Sequence, residues 1–181
     1  MIDQPLALSD FQKRLSWRDV DPAKILPLIK ICISEDIDKR GDITSSISGI
    51  KGSGLAAIVA REEMVICGIH LIPLIINEFE GSSVKVDIIK FDGQKISSGT
   101  EIAYLEGKQK DILTIERTIL NFIQRLSGIS TLTNQFSSIL SKYQVGLLDT
   151  RKTTPGHRIL EKYATGCGGG YNHRMSLSDR I

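Results

Sequence analysis

Residues 145–156 read Val-Gly-Leu-Leu-Asp-Thr-Arg-Lys-Thr-Thr-Pro-Gly, a short apolar segment followed at once by a polar and cationic one. The apolar part, Val145 to Leu148, predicts a short strand, and the residues after Gly156 predict a helix. In α/β architectures the loops after the carboxyl ends of parallel strands form the ligand site. The order of strand, polar loop and helix therefore predicts an α/β protein with binding residues in this loop.

Two adjacent cations lie in the loop. Arg151 offers a planar guanidinium suited to a carboxylate or phosphate, and Lys152 offers a compact charge, so the pair suits a ligand with more than one anionic group. Thr150, Thr153 and Thr154 add hydroxyl donors. A solvated basic loop is the alternative interpretation, and the spacing alone does not choose between the two.

The charge of the chain is concentrated around this loop. The whole sequence holds 23 Lys and Arg against 21 Asp and Glu, whereas residues 145–181 hold six cations and three acids. A net charge of +2 is too small to predict a nucleic-acid partner, and the local excess favours a small anionic ligand or a solvated basic face. His173 follows a run of three glycines and is interpreted as an acid or base, an anion donor or a structural residue.

The residues before the loop predict a compact α+β unit. Apolar periodicity predicts helices over 27–36 and 69–79, with Pro27 at the first helical position, and strands within 54–68, 84–91 and 102–105. A long helix is predicted over 111–127, interrupted at Gly128 and followed by a second helix over 130–142. Arg117 lies among apolar residues of the long helix, so it either sits at the polar edge of that helix, meets an acid or reaches a ligand.

Composition excludes several classes of protein. With 41% hydrophobic and 24% charged residues the chain is expected to fold, and no apolar run approaches the roughly 20 residues of a membrane helix. The N-terminus lacks a secretory pattern, which predicts a cytoplasmic protein. Cys32, Cys67 and Cys167 are predicted to be reduced, without a disulfide or zinc site. The acidic segment 35–44 is interpreted as a polar loop rather than a calcium site, and Ser9 to Gln12 as a capping box.

Several motifs in unbroken order resemble the nicotinate-nucleotide pyrophosphorylase (carboxylating) family, also called quinolinate phosphoribosyltransferases. The resemblance covers about residues 22–181, and the string from Asp149 to Gly156 is its most specific part. The other matching motifs are Glu116 to Asn121, Leu126 to Thr131, Glu161 to Ala164, Gly168 to Gly170 and Asn172 to Arg174.

The resemblance implies a two-domain architecture. Residues 1–21 would be an N-terminal extension, residues 22–127 an α/β sandwich domain with a connecting helix, and residues 128–181 the start of an α/β barrel. The family barrel continues past the last residue of this sequence. The chain is therefore expected to be an N-terminal portion with a truncated barrel.

The resemblance also implies an activity and a site. Quinolinate and phosphoribosyl pyrophosphate would give nicotinate mononucleotide, pyrophosphate and carbon dioxide in NAD biosynthesis, with Mg²⁺ bound by ligands beyond the end of this chain. Thr150, Arg151, Lys152, His173 and Arg174 would surround quinolinate. Arg117 would reach the site of a neighbouring subunit, so the working unit would be a homodimer or larger, and neither a nucleic acid nor a membrane is expected as a partner.

Two alternatives to this enzyme are considered. One is a non-catalytic remnant of the same fold that binds a partner or a quinolinate-like anion. The other is a phosphoribosyltransferase-like protein linked to molybdenum uptake. The 181 residues alone are expected to give no turnover.

Overall fold

A computed structural model describes residues 13–37, 51–79 and 81–179 of the chain. The predicted capping box at Ser9 to Gln12 and most of the acidic loop lie outside the described residues. The elements are α1 (Pro22–Asp36), β1 (Ser53–Val59), β2 (Met64–Val65), α2 (Leu71–Glu78), β3 (Lys85–Ile88), β4 (Lys95–Ile96), β5 (Glu101–Lys108), α3 (Gln109–Ser141) and α4 (Arg158–Cys167). A 3-10 turn at Trp17–Asp19 precedes α1.

The strands form two antiparallel sheets. The larger has the order β1-β5-β3, and β2 pairs with β4 in the smaller one. β5 buries Ile102, Ala103 and Leu105 in a core shared with the helices. The fold is the mixed α/β arrangement that the sequence predicts, and no closed barrel is present among the described residues.

The long helix α3 confirms the predicted apolar stripe and corrects its predicted break. The six apolar residues of the stripe are all buried: Ile112, Ile115, Ile119, Phe122, Ile123 and Leu126. The helix runs through Gly128 without interruption, because Leu126 and Ser130 on either side are buried against other elements. This packing outweighs the roughly 1 kcal/mol by which an interior glycine disfavours a helix. In the second half of the helix Leu132, Phe136 and Ile139 are more than half exposed.

The start of α1 differs from the prediction. Pro22, not Pro27, occupies the first helical position, and the Asp21 side chain caps the helix by accepting a hydrogen bond from the Ala23 amide at 3.0 Å. Pro27 lies inside the helix, where its missing amide proton leaves the Ala23 carbonyl without its helical donor. Both residues are exposed, so water is available to that carbonyl.

The predicted strand at Val145 to Leu148 is shorter than expected. It is reduced to one parallel bridge between Leu148 and Tyr171, made by the Tyr171 amide to the Leu147 carbonyl at 2.7 Å and the Asp149 amide to the Tyr171 carbonyl at 3.0 Å. Only the short Tyr171 segment pairs with it among the described residues, and Val145 stays 53% exposed. The predicted helix after Gly156 and His157 is confirmed as α4.

Polar side chains of the long helix α3 connect the strands that precede it with α4, which follows it. The Ser127 hydroxyl accepts a hydrogen bond from the Cys67 amide at 3.0 Å, and the Thr131 hydroxyl accepts one from the Val65 amide at 2.9 Å. On the side facing α4, the Ser130 hydroxyl donates to the Ala164 carbonyl at 2.9 Å. One helix therefore holds both the strands before it and the helix after it.

Two of the three cysteines also connect the residues before α3 with α4. Cys67 is buried, Cys32 and Cys167 are half-buried, and all three are free thiols. A hydrogen bond from the Cys67 thiol lowers the pKa of Cys167, while burial raises the pKa of Cys67. Cys67 and Cys167 are thus partners in the fold although they are distant in the sequence.

Candidate anion-binding site

Asp149 fixes the beginning of the cationic loop, defined here as residues 149–156. Its Oδ1 accepts hydrogen bonds from Lys162 Nζ at 2.6 Å and from the His173 amide at 2.8 Å. Its Oδ2 accepts from Asn172 Nδ2 at 2.7 Å. The carboxylate therefore ties the loop to α4 and to residues 171–174, which we call the His173 segment.

Glu161 fixes the other end of the loop. Its Oε2 accepts the Thr154 amide at 3.1 Å, and its Oε1 accepts Arg125 Nε of α3 at 3.1 Å. Arg125 also donates from Nη2 to Glu161 and to the Thr154 hydroxyl. Burial raises the pKa of Glu161, but the hydrogen bonds from Arg125 and Thr154 outweigh it, so the pKa of Glu161 lies below its usual value.

Replacing Glu161 by glutamine is expected to lower the free energy of unfolding at pH 7 by about 1–2 kcal/mol, because hydrogen bonds to a charged group are replaced by weaker neutral ones. The folded-state pKa is lowered, so the carboxylate contributes stability above its unfolded pKa and loses it as the pH falls through the folded pKa. The difference between wild type and E161Q should therefore shrink in acid. Urea unfolding at several pH values measures it.

Glu63→Gln is the matched control, because Glu63 pairs with Lys95 at the surface with both side chains 64% exposed. We expect a change of less than about 0.5 kcal/mol for this variant. A destabilisation by E161Q that stays constant from pH 7 down to acid would contradict the role given to the charge.

The cations of the loop lie between these two fixed ends. Arg151 is half-buried, and its Nε is buried without a hydrogen-bond partner among the described residues. Lys152 and Thr150 are exposed, and the Thr150 hydroxyl accepts the Lys152 amide at 3.0 Å. A buried guanidinium nitrogen without a partner costs free energy unless a ligand or water supplies an acceptor. Arg151 is therefore the side chain that most directly indicates an anion site.

His173 and Arg174 reach the same edge as the loop. They follow Tyr171 closely, as Thr150 and Arg151 follow Leu148, and Leu148 and Tyr171 are parallel partners. Both side chains are half-buried. The parallel bridge thus brings two pairs of polar residues to one end of two neighbouring segments.

Arg117 is not part of this cluster within one chain. It is exposed on α3, beside Thr118, whose hydroxyl donates to Asp36 of α1 at 3.0 Å. Within the described ranges no hydrogen bond or ion pair joins Arg117 to the cationic loop. Within its own chain Arg117 thus lies at the exposed edge of the helix, one of the positions that the sequence leaves open.

Several residues that support the site were not singled out as site residues by the sequence. Arg158 donates to the Thr153 hydroxyl at 3.4 Å and to the Met175 carbonyl at 3.3 Å. Asp92 accepts from the Tyr163 hydroxyl at 3.0 Å and from the Ile69 amide at 2.9 Å, and burial raises the pKa of Asp92. Each pairing is distant in the sequence or lies in a loop, so no local pattern signals it.

The described residues contain no group of three or more His, Cys, Asp or Glu side chains placed to hold a metal ion. The same part of the chain has no helix with the length and apolarity needed to cross a membrane.

The fold and the loop define a mixed α/β protein in which a cationic loop joins a parallel β-bridge to a helix. Two family models match the chain: "Quinolinate phosphoribosyl transferase, N-terminal domain" over residues 42–127, and the C-terminal domain of the same family over residues 129–181. The chain therefore belongs to the quinolinate phosphoribosyl transferase family.

Individual relatives agree with this assignment. The chain is 44% identical over 152 residues to a probable nicotinate-nucleotide pyrophosphorylase [carboxylating] of Bacillus subtilis, covering 81% of this chain and 50% of the relative. A Synechocystis protein of the same name is 37% identical over 155 residues, covering 86% of this chain and 52% of the relative. The nicotinate-nucleotide pyrophosphorylase structure from Francisella tularensis matches with a TM-score of 0.82 and 41% identity, covering 87% of this chain and 55% of that one. The chain thus spans about half the length of the curated relatives it matches.

Proposed function

We propose that this chain carries the quinolinate-binding part of a phosphoribosyltransferase. The reaction joins quinolinate to phosphoribosyl pyrophosphate and releases pyrophosphate and carbon dioxide, giving nicotinate mononucleotide for NAD biosynthesis. Membership of the family and the names of the relatives support this proposal. The observation that carries it is the buried Arg151 Nε without a partner among the described residues, at an edge that also holds Lys152, His173 and Arg174.

The chemistry of quinolinate suits such an edge. The molecule carries two adjacent carboxylates, so fixed cations on more than one segment are needed to bind both. Its 2-carboxylate leaves as carbon dioxide once the ring nitrogen has become cationic, because the ring then withdraws the electron pair. The residues of this chain would bind and orient the substrate, and none is required as a nucleophile.

A second subunit is part of the proposal. Arg117 is exposed on α3 and lies outside the cationic cluster of its own chain, so we infer that it serves the site of a neighbouring subunit. The exposed apolar side chains of α3, Leu132, Phe136 and Ile139, favour an assembly that covers them. A magnesium requirement, with ligands outside the residues described, belongs to the same proposal. A cytoplasmic location is also proposed, and cell fractionation with immunoblotting tests it.

Calorimetric titration of the 181-residue chain tests the binding part of the proposal. Quinolinate is expected to bind at least about tenfold more tightly than nicotinate, which has one carboxylate, because a charge-assisted hydrogen bond contributes about 1.5–3 kcal/mol. Equal affinities, or no binding of quinolinate at millimolar concentration, would contradict the proposal.

Turnover is tested separately. The 181 residues with quinolinate, phosphoribosyl pyrophosphate and magnesium are expected to give no nicotinate mononucleotide, and product formation would refute that expectation. If the coding DNA continues in frame past Ile181, the longer protein is expected to form the product. A faster reaction with another pyridine or base-like acceptor would favour the molybdenum-linked alternative. Binding without turnover by every form of the protein would favour the non-catalytic alternative.

A further inference from the structure

Lys162 and Asp149 form a deeply buried ion pair. The Nζ–Oδ1 distance is 2.6 Å, and the two side chains are 1% and 7% exposed. Lys162 lies on α4, and its ammonium group is buried against the Asp149 carboxylate at the start of the cationic loop.

The pair belongs to a network that includes Asn172. The amide nitrogen of the Asn172 side chain donates to Asp149 Oδ2 and to the Lys162 carbonyl, both at 2.7 Å. The Asn172 Oδ1 accepts the Leu15 amide at 2.7 Å. Asp149 in turn accepts the backbone amide of His173. The side chains of Asp149, Lys162 and Asn172 thus form hydrogen bonds with one another or with the backbone.

Stability alone is a weak reason for this arrangement. Well-packed apolar residues often stabilise a protein as much as a buried ion pair does, because removing two charges from water is costly. An ion pair with further hydrogen bonds differs from apolar packing in that it fixes directions and distances. Here the fixed groups are the Asp149 carboxylate, two residues before Arg151, and the His173 amide, directly before Arg174.

We propose that Lys162 is a positioning residue that acts through Asp149 and Asn172 to hold the cationic loop and the His173 segment at the spacing that a dicarboxylate requires. This inference rests on the proposed function. Lys162 and Glu161 are neighbours on α4 and hold opposite ends of the loop, so one helical turn sets the position of Arg151 and Lys152 between them.

The double variant D149N/K162M tests this role without leaving a charge buried alone. The amide introduced at position 149 has one oxygen and one NH₂ group, whereas the Asn172 side chain and the His173 backbone both donate to the carboxylate there. One amide oxygen cannot replace two carboxylate oxygens as acceptors in that pattern. We expect the variant to fold and to bind quinolinate at least tenfold more weakly than wild type. Calorimetric titration measures the affinity, and circular dichroism at the same temperature establishes the folded fraction.

Lys95→Met is the matched control, because Lys95 forms an ion pair of 2.9 Å with Glu63 at the exposed surface. Its quinolinate affinity should equal that of wild type. A folded D149N/K162M chain with wild-type affinity would overturn the positioning role. Failure of the unaltered chain to bind quinolinate would instead count against the proposed function.

Hydrogen exchange of the unaltered chain gives a second test that does not depend on a variant folding. The His173 amide should be protected at least tenfold more than the amide of Leu177, which lies in an exposed turn. In Lys162→Arg, which keeps the charge, we expect part of the protection and of the affinity to be retained. Exchange of His173 as fast as that of Leu177 in wild type would overturn the proposal, whether or not quinolinate binds.

Discussion

Replacing Arg151 by alanine is expected to weaken quinolinate binding by about 30-fold or more, corresponding to about 2 kcal/mol. The reason is the position of its guanidinium, which is half-buried and has a buried Nε that lacks an acceptor among the described residues. A carboxylate bound there would supply that acceptor. Arg174→Ala should have a similar effect, because Arg174 reaches the same edge from the neighbouring segment. Isothermal titration of the folded variants measures both.

The control for this experiment is Arg61→Ala. Arg61 is an exposed cation of the N-terminal part, and its backbone carbonyl, which the substitution keeps, accepts a hydrogen bond from the Ser98 hydroxyl. Its affinity for quinolinate should stay within about twofold of wild type, a change of less than ~0.5 kcal/mol. Wild-type affinity in both R151A and R174A would remove these arginines from the site.

The second large effect is expected for Gly168→Ala. A Cβ at residue 168 would lie 2.4 Å from the Ser130 carbonyl oxygen and 2.6 Å from the Thr133 Cβ, so α3 and the end of α4 would have to separate. We expect the free energy of unfolding to fall by about 1–3 kcal/mol, the range for overpacking. Urea unfolding followed by circular dichroism measures the change.

Gly128→Ala is expected to have the opposite effect. Nothing lies within 4 Å of a Cβ at residue 128, and the residue is inside α3. This substitution should raise the free energy of unfolding by up to about 1 kcal/mol, because alanine favours a helix more than glycine does. The interpretation of the glycines would be wrong if G168A were neutral or if G128A were the more damaging of the two.

Periodic patterns predicted much of the fold. The stripe from Ile112 to Leu126 indicated a helix, because six apolar residues at helical spacing can be buried together on one helix face. The same patterns failed where a local rule competed with packing. Gly128 was predicted to interrupt the helix, but the burial of residues on both sides of it keeps the helix continuous. Pro22 rather than Pro27 begins α1, because the Asp21 side chain caps the helix there.

The candidate site was predicted only in its outward-facing part. A strand followed by cations indicates a ligand loop, so Arg151 and Lys152 could be proposed from the sequence. The residues that hold this loop in place could not be proposed from the sequence, because the hydrogen-bond partners of Asp149 and Glu161 depend on how α4 packs on α3. Lys162 in particular is of a residue type that usually lies at the surface, and only the fold shows its side chain to be buried.

The unbroken course of α3 limits how the family can change in length. The helix contacts β2 and the residue two positions after it through Thr131 and Ser127, and it contacts the end of α4 and the residues after it through Ser130 and Ser137. The two pairs of side chains lie on different faces of α3. A single residue inserted between Thr131 and Ser137 would turn Ser137 by about 100° relative to the other three side chains and shift it by about 1.5 Å. Seven residues would restore its rotational phase to within about 20° but move it about 10 Å further along the helix axis. We therefore expect related sequences to differ in length in the surface turns and rarely within this helix.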